Sequence, residues 1–127
     1  MIGGIIVHGD GLGKTLGYPT ANIDVEPSSV RFESGVYAAR ATLHGKIYDA
    51  ALVIIQSPWK VEAHLLDYAG PDIYGQELRI EPIQRVSSLE RYDDIDELKA
   101  KIGRDITLVR QVFEDVAIRE DRDDHVL

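Results

Sequence analysis

The sequence predicts an all-β domain: short antiparallel strands closed into a barrel, with one amphipathic helix packed against the outside. Three observations point there. Several segments alternate apolar and polar residues at a period of two, one stripe near the C-terminus repeats at helical spacing, and strand and helix never alternate along the chain. The last point argues against a doubly wound parallel sheet. Closure removes the exposed edges that an open antiparallel sheet would leave.

The opening MIGGIIV reads as a first strand. It is apolar but short, lacks a basic flank and runs straight into glycines, unlike a secretory leader. Residues 35–43, GVYAARATL, place Tyr37, Ala39, Ala41 and Leu43 on one side. His44-Gly45 separates this run from KIYDAALVII (46–55). Two residues ending in glycine between apolar runs read as a tight hairpin, because such turns need positive φ. VEAHLLDY (61–68) sets Val61, Ala63 and Leu65 against Glu62, His64 and Leu66. QELRIEPI (76–83) is a further strand, in which Pro82 marks an edge position or an end. Ile95, Leu98, Ile102, Ile106, Val109 and Phe113 then recur at steps of three and four, a helical stripe. Asp94 is placed as its N-cap, with Glu97 three residues on.

At 127 residues, 44% hydrophobic and 28% charged, the chain is expected to be one domain with a core of its own. It contains no cysteine, which excludes disulfides and thiolate metal sites and fits a reducing compartment. No apolar run nears the roughly 20 residues of a membrane helix, so a cytoplasmic protein without a membrane partner is expected. The net charge of −8 argues against a nucleic-acid partner, which needs clustered Lys and Arg. The last fourteen residues carry six acids against two arginines. They read as a solvated helix end or an acidic docking tail, set off as 114–127 from a body of 1–113.

HGDGLGKTLGYPTAN (8–22) concentrates four glycines, a lysine and a Pro-Thr-Ala-Asn run. It matches neither familiar phosphate signature. G-x-x-x-x-G-K-[ST] requires glycine where His8 stands, and G-x-G-x-x-G requires it at Lys14 or Leu16. No crossover helix follows either; Pro19 and Pro27 do. What remains is a backbone able to approach a ligand at Gly9, Gly11 and Gly13, a cation at Lys14, and the neutral oxygens of Thr20 and Asn22 on one side of an extended segment. Hard Mg²⁺ prefers such oxygens. On residues alone, a nucleotide-binding loop and a plain glycine-rich turn with a solvated lysine both stand.

Glu62 lies off the apolar row of its strand, as a surface carboxylate or one paired with a basic neighbour. His64 shares its face; with no third ligand in view, the histidine is expected to orient Glu62 or to pack on the barrel. Trp59 could stack on a ring system or close the barrel rim. His8, His44 and His125 are scattered and suggest no chemistry.

Taken together, GIIVHGDGLGKTLGYPTANI resembles the N-terminal signature of the riboflavin kinase (flavokinase) family, a glycine-rich loop leading into Leu-Gly-aromatic-Pro-Thr-Ala-Asn. The likeness continues in SGVYAARATL, VEAHLLDYAGPDIYG and DIDELKAKIGRDITLVRQVF, over roughly residues 3–113. It implies a six-stranded antiparallel Greek-key barrel with a C-terminal helix. It also implies transfer of the γ-phosphate of ATP to the ribityl 5′-hydroxyl of riboflavin, giving FMN and ADP, with Mg²⁺ or another divalent cation. On this resemblance Gly9, Gly11, Gly13, Lys14 and Pro19 would border the nucleotide, and Thr20 and Asn22 would serve the metal. Glu62 would be the catalytic base, and Tyr74 and Arg91 would contact the substrate, with a purely structural turn as the other reading of Tyr74-Gly75. The adenylyltransferase domain often fused to this module does not fit in the chain, so a stand-alone, monomeric kinase module is expected. A flavin- or nucleotide-binding module of the same fold, without turnover, is the alternative. A barrel that binds oligonucleotides is disfavoured by the acidic balance.

Two segments depart from the family pattern. Where it has Asn-Ile-Gly-x-x-Pro-Thr, on the nucleotide side, this chain has Val53, Ile55 and Trp59 at the Asn, Gly and Thr positions, and a shorter loop. Where it has Arg-x-Glu-x-x-Phe, on the flavin side, this chain has Ser87, Leu89 and Tyr92.

Overall fold

A computed structural model describes residues 1–9 and 11–124, the side chains of 120–124 excepted. The expected acidic character of the chain end, and His125, therefore fall largely outside the described residues. Six strands form: β1 (Ile2–Val7), β2 (Ala21–Asp24), β3 (Gly35–Leu43), β4 (Lys46–Gln56), β5 (Trp59–Leu65) and β6 (Glu77–Ser87). One helical turn, α1 (Leu12–Thr15), follows β1, and a long helix, α2 (Ile95–Asp124), follows β6. The strands pair antiparallel in the order β1-β2-β5-β4-β3-β6 and close into a barrel. Strands β3, β4 and β5 form a meander, and β2 lies beside β5 across a long connection, the Greek-key arrangement.

Local chemistry sets the register. His44 and Gly45 both take positive φ, 51° and 77°, which makes the β3–β4 connection a type I′ hairpin whose twist matches its strands. Only Ser57 and Pro58, joined by a cis bond, connect β4 to β5. Pro82 is neither at the edge of the whole sheet nor at a strand end. It lies inside β6 opposite Ala39, next to a register shift, and the pairing of β6 with β1 stops at Ile80. Past that point β6 has β3 as its one sheet neighbour, so the missing N–H of Pro82 interrupts no ladder on the β1 side.

The period of two places the core. Tyr37, Ala39, Ala41 and Leu43 point inward and meet Leu52, Ile54, Val61 and Ala63 inside the barrel. A second cluster joins the outer wall to α2: Ala38 and Ala51, directly opposite in the β3–β4 register, lie beneath Val109 and Val112. Two methyl side chains at one register pair let the helix approach the sheet closely. The carboxylate of Asp94 accepts from the Asp96 N–H at 2.8 Å and its carbonyl from the Leu98 N–H at 3.0 Å, so the expected cap starts α2. Farther along, Arg110 ties α2 to the end of β5 through a forked pair with Asp67 at 3.1 and 3.2 Å. No helix among the described residues is long and apolar enough to cross a membrane.

Leu52→Ala, at a fully buried position, is expected to cost about 2–5 kcal/mol in urea unfolding, whereas exposed Ile47→Ala should stay within about 0.5 kcal/mol. Ala38→Leu should cost about 1–3 kcal/mol by wedging α2 away from the wall, read as lost stability with far-UV circular dichroism retained. The hydrogen bonds from Arg110, and then its charge, hold the Asp67 carboxyl below the usual carboxylate range. A lowered folded pKa stabilises the fold while the group is ionised, so this contribution is present at neutral pH and fades as pH falls through the folded value. Asp67→Asn should therefore flatten the acid limb of a stability profile recorded between about pH 7 and pH 2 only slightly, because the fork is exposed and screened.

Candidate active site

Alternation along β2 and β5 builds the site. Ala21 pairs with Ala63, and both face the core. The next pair, Asn22 with Glu62, must then face outward, and Glu62 continues the row to Val53 on β4. Just before β2, the Thr20 hydroxyl donates to Glu62 Oε2 at 3.4 Å. The same oxygen lies 3.4 Å from Lys60 Nζ, two residues back on the same face of β5. The Glu62 side chain is 20% exposed, open enough to meet a ligand.

His64 does not orient Glu62. Its Nδ1 lies 2.7 Å from the Pro19 carbonyl oxygen; a carbonyl only accepts, so the proton sits on Nδ1. Tyr18 stands edge-on to the imidazole, 5.9 Å between centroids. The histidine thus pins the Pro19-Thr20 segment, and through it the hydroxyl that meets Glu62.

The glycines divide their labour. A Cβ on Gly9 would collide with the Asn22 side-chain amide, so Gly9 is what lets that amide lie against the loop. Gly11, at φ 74°, starts α1 in the left-handed region, and its carbonyl accepts from the Thr15 hydroxyl.

Two cavities meet at Thr20. The larger, about 620 Å³, opens at the barrel mouth between the glycine loop and residues 70–74. Gly9, Gly11, Lys14, Pro19, Thr20 and Asn22 line it, most of the positions expected to serve a nucleotide and its metal, and so does Tyr74, expected to contact the substrate. The smaller, about 220 Å³, lies on the outer wall beneath α2. Gly13, Thr20, Glu62, Lys60 and His64 border it, with apolar walls from Leu12, Leu16, Val53, Ile55, Leu98 and Ile102.

Several expectations fall differently. Val53 and Ile55 line the apolar cavity and not the cavity of the glycine loop, because their register row belongs to the outer wall beside Glu62. Trp59 lines neither cavity: it packs against the barrel core, and its indole N–H donates to the Val25 carbonyl at 2.8 Å. Arg91 is exposed and lines neither cavity, while its neighbours Leu89 and Glu90 border the apolar one. Tyr74-Gly75 is a turn, with Gln76 N–H bonded to the Ile73 carbonyl and Gly75 at φ 79°, yet the Tyr74 ring also borders the large cavity. His8, which suggested no chemistry, stacks on that ring at 3.6 Å.

Sequence reasoning missed Lys60 and the buried pair Lys101 and Asp105. Lys60 stands two residues from Glu62, hence on one strand face, a signal that was there to read. Lys101 and Asp105 fall between Leu98 and Val109 at steps of three, four and four, the spacing of the core-facing side of the helix.

Known proteins resemble this chain in sequence and in fold. The family model for riboflavin kinase (Flavokinase) matches residues 1–113. The chain is 33% identical over 113 residues to the bifunctional riboflavin kinase/FMN adenylyltransferase of Bacillus subtilis (strain 168), covering 82% of this chain and 35% of that protein. It is 30% identical over 125 residues to the RNA-binding riboflavin kinase RibR of the same organism, covering 93% of this chain and 53% of the relative. The chain thus spans between about a third and a half of these relatives. The crystal structure of riboflavin kinase from Trypanosoma brucei shares the fold, with a TM-score of 0.69 at 22% identity, over 94% of this chain and 82% of that one. With one family model running from the first strand to Phe113 in α2, the chain belongs to the riboflavin kinase (flavokinase) family.

Proposed function

We propose that this chain transfers the γ-phosphoryl group of ATP to the ribityl 5′-hydroxyl of riboflavin, giving FMN and ADP. The observation that carries the reading is the contact of the Thr20 hydroxyl with the Glu62 carboxylate, where the cavity of the glycine loop meets the apolar one beneath α2. Phosphoryl transfer asks a protein chiefly for positioning and charge neutralisation, with a carboxylate to take the hydroxyl proton. The ring of riboflavin would fill the apolar cavity beneath α2, directing its ribityl chain toward Glu62. The triphosphate would lie along Gly9 and Gly11 with Lys14 beside it. Glu62 accepts the 5′-hydroxyl proton as that oxygen bonds the γ-phosphorus, and the bond from phosphorus to the bridging oxygen of ADP breaks. Lys60 holds the Glu62 carboxylate beside Thr20.

The donor set fits a hard divalent cation such as Mg²⁺. Thr20 and Asn22 offer neutral oxygens on the cavity of the glycine loop. That suits an ion that takes most of its ligands from phosphate and water. When bound, the cation would neutralise phosphate charge. Tyr74, on the wall opposite the loop, is read as a ligand contact on the nucleotide side. The working unit is taken as a monomer, with 1–113 as the kinase module and 114–127 as its acidic extension. The lack of cysteine suits a cytoplasmic setting, and the net charge of −8 favours small-molecule partners over nucleic acid.

Protein incubated with riboflavin, ATP and Mg²⁺ should yield FMN, resolved from riboflavin by chromatography, and chelation of the metal should stop it. Glu62→Gln should lower kcat about 10²–10⁴-fold while changing riboflavin affinity, measured by flavin fluorescence, less than about threefold. Riboflavin binding without FMN formation from ATP, GTP or CTP would leave a binding module in place of a kinase. Gly9→Ala should raise KM for ATP about tenfold or more by displacing the Asn22 amide, with KM for riboflavin nearly unchanged.

A further inference from the structure

The wall of the apolar cavity holds a pair of charges that phosphate transfer does not use. Lys101 and Asp105 are each 7% exposed, and both line the cavity. Lys101 Nζ donates to Asp105 Oδ2 at 2.5 Å and to Ser87 Oγ at 3.0 Å, while the Ser87 hydroxyl donates to Asp105 Oδ1 at 2.8 Å. The three side chains close a ring of hydrogen bonds between the end of β6 and α2. Burying two ions costs more than their attraction returns unless the remaining protons and lone pairs are also met. Lys101 has three N–H donors and engages two. Each Asp105 oxygen accepts one bond and keeps a further lone pair. A donor thus stands beside an acceptor in a cavity whose other walls are largely apolar.

We infer that Lys101 and Asp105 select a flat ring carrying an imide edge, Lys101 donating to a ring carbonyl and Asp105 accepting the adjacent ring N–H. An ammonium next to a carboxylate is the complement of a carbonyl next to an N–H, and apolar walls make each mismatch expensive because a buried group is left unpaired. Ser87 is a positioning residue, fixing both charged groups without needing to meet the ligand. The inference rests on the riboflavin reading of the cavity and adds to it the atoms by which the ring is told from other flat molecules.

Fluorescence titration of the full chain with riboflavin and with 3-methylriboflavin, whose imide N–H is blocked, tests this without nucleotide. Wild type should bind the methylated flavin at least about tenfold more weakly. The double variant Lys101→Met/Asp105→Leu, an apolar replacement that buried ion pairs commonly tolerate, should fold by circular dichroism and bind both flavins within about threefold of each other. Equal affinity of wild type for the two flavins overturns the inference and leaves the kinase reading intact, and so does a double variant that keeps the wild-type ratio. Failure of wild type to bind riboflavin at all overturns both.

Discussion

Two register pairs join β2 to β5, and the rest of the site depends on them. Ala21 with Ala63 closes the barrel interior, and Asn22 with Glu62, one residue along, turns an amide and a carboxylate outward. A slip of one residue would send the carboxylate into the core and an alanine to the site, so the alanines enforce the register from inside. His64 extends the same constraint past the end of β2 by holding the Pro19 carbonyl. The Thr20–Glu62 contact is therefore the outcome of a strand pairing and one imidazole hydrogen bond.

The second wall comes from packing of a different kind. Helix α2 lies on the Ala38–Ala51 pair, and its docking roofs the apolar cavity with Leu98, Ile102 and Ile106. Ala51 belongs both to the helix-docking cluster and to the cavity lining. Cavity depth and helix seating are thus coupled through one small side chain. The fork between Arg110 and Asp67 is exposed and screened, so it contributes little beside that packing.

The barrel was readable from alternation because inward residues such as Tyr37, Ala39 and Ala41 are apolar in phase. The β3–β4 hairpin was readable because glycine at a two-residue turn has few other uses. Helix α1 was not: four residues containing a glycine and a lysine have no periodicity to detect, and their helical turn depends on the left-handed conformation of Gly11. Among candidate site residues, Thr20, Asn22 and Glu62 were singled out through the resemblance to the flavokinase family, whereas the placement of Val53 and Ile55 required knowing which strand lies beside β5. Lys101 and Asp105 went unnoticed, because a pair of opposite charges four apart on a helix carries no sign that it is buried. Their burial depends on where the barrel wall sits, which linear spacing does not state.

Strand β5 serves two masters on alternate residues. Val61, Ala63 and Leu65 belong to the interior, Ala63 and Leu65 also reach the cavity of the glycine loop, and Lys60, Glu62 and His64 line the cavity beneath α2. Drift at Lys60, Glu62 or His64 reshapes a cavity wall and leaves the packed interior alone, whereas drift at Ala63 or Leu65 touches both. A lineage can therefore explore new ligands through every second letter of a single strand without first rebuilding its scaffold.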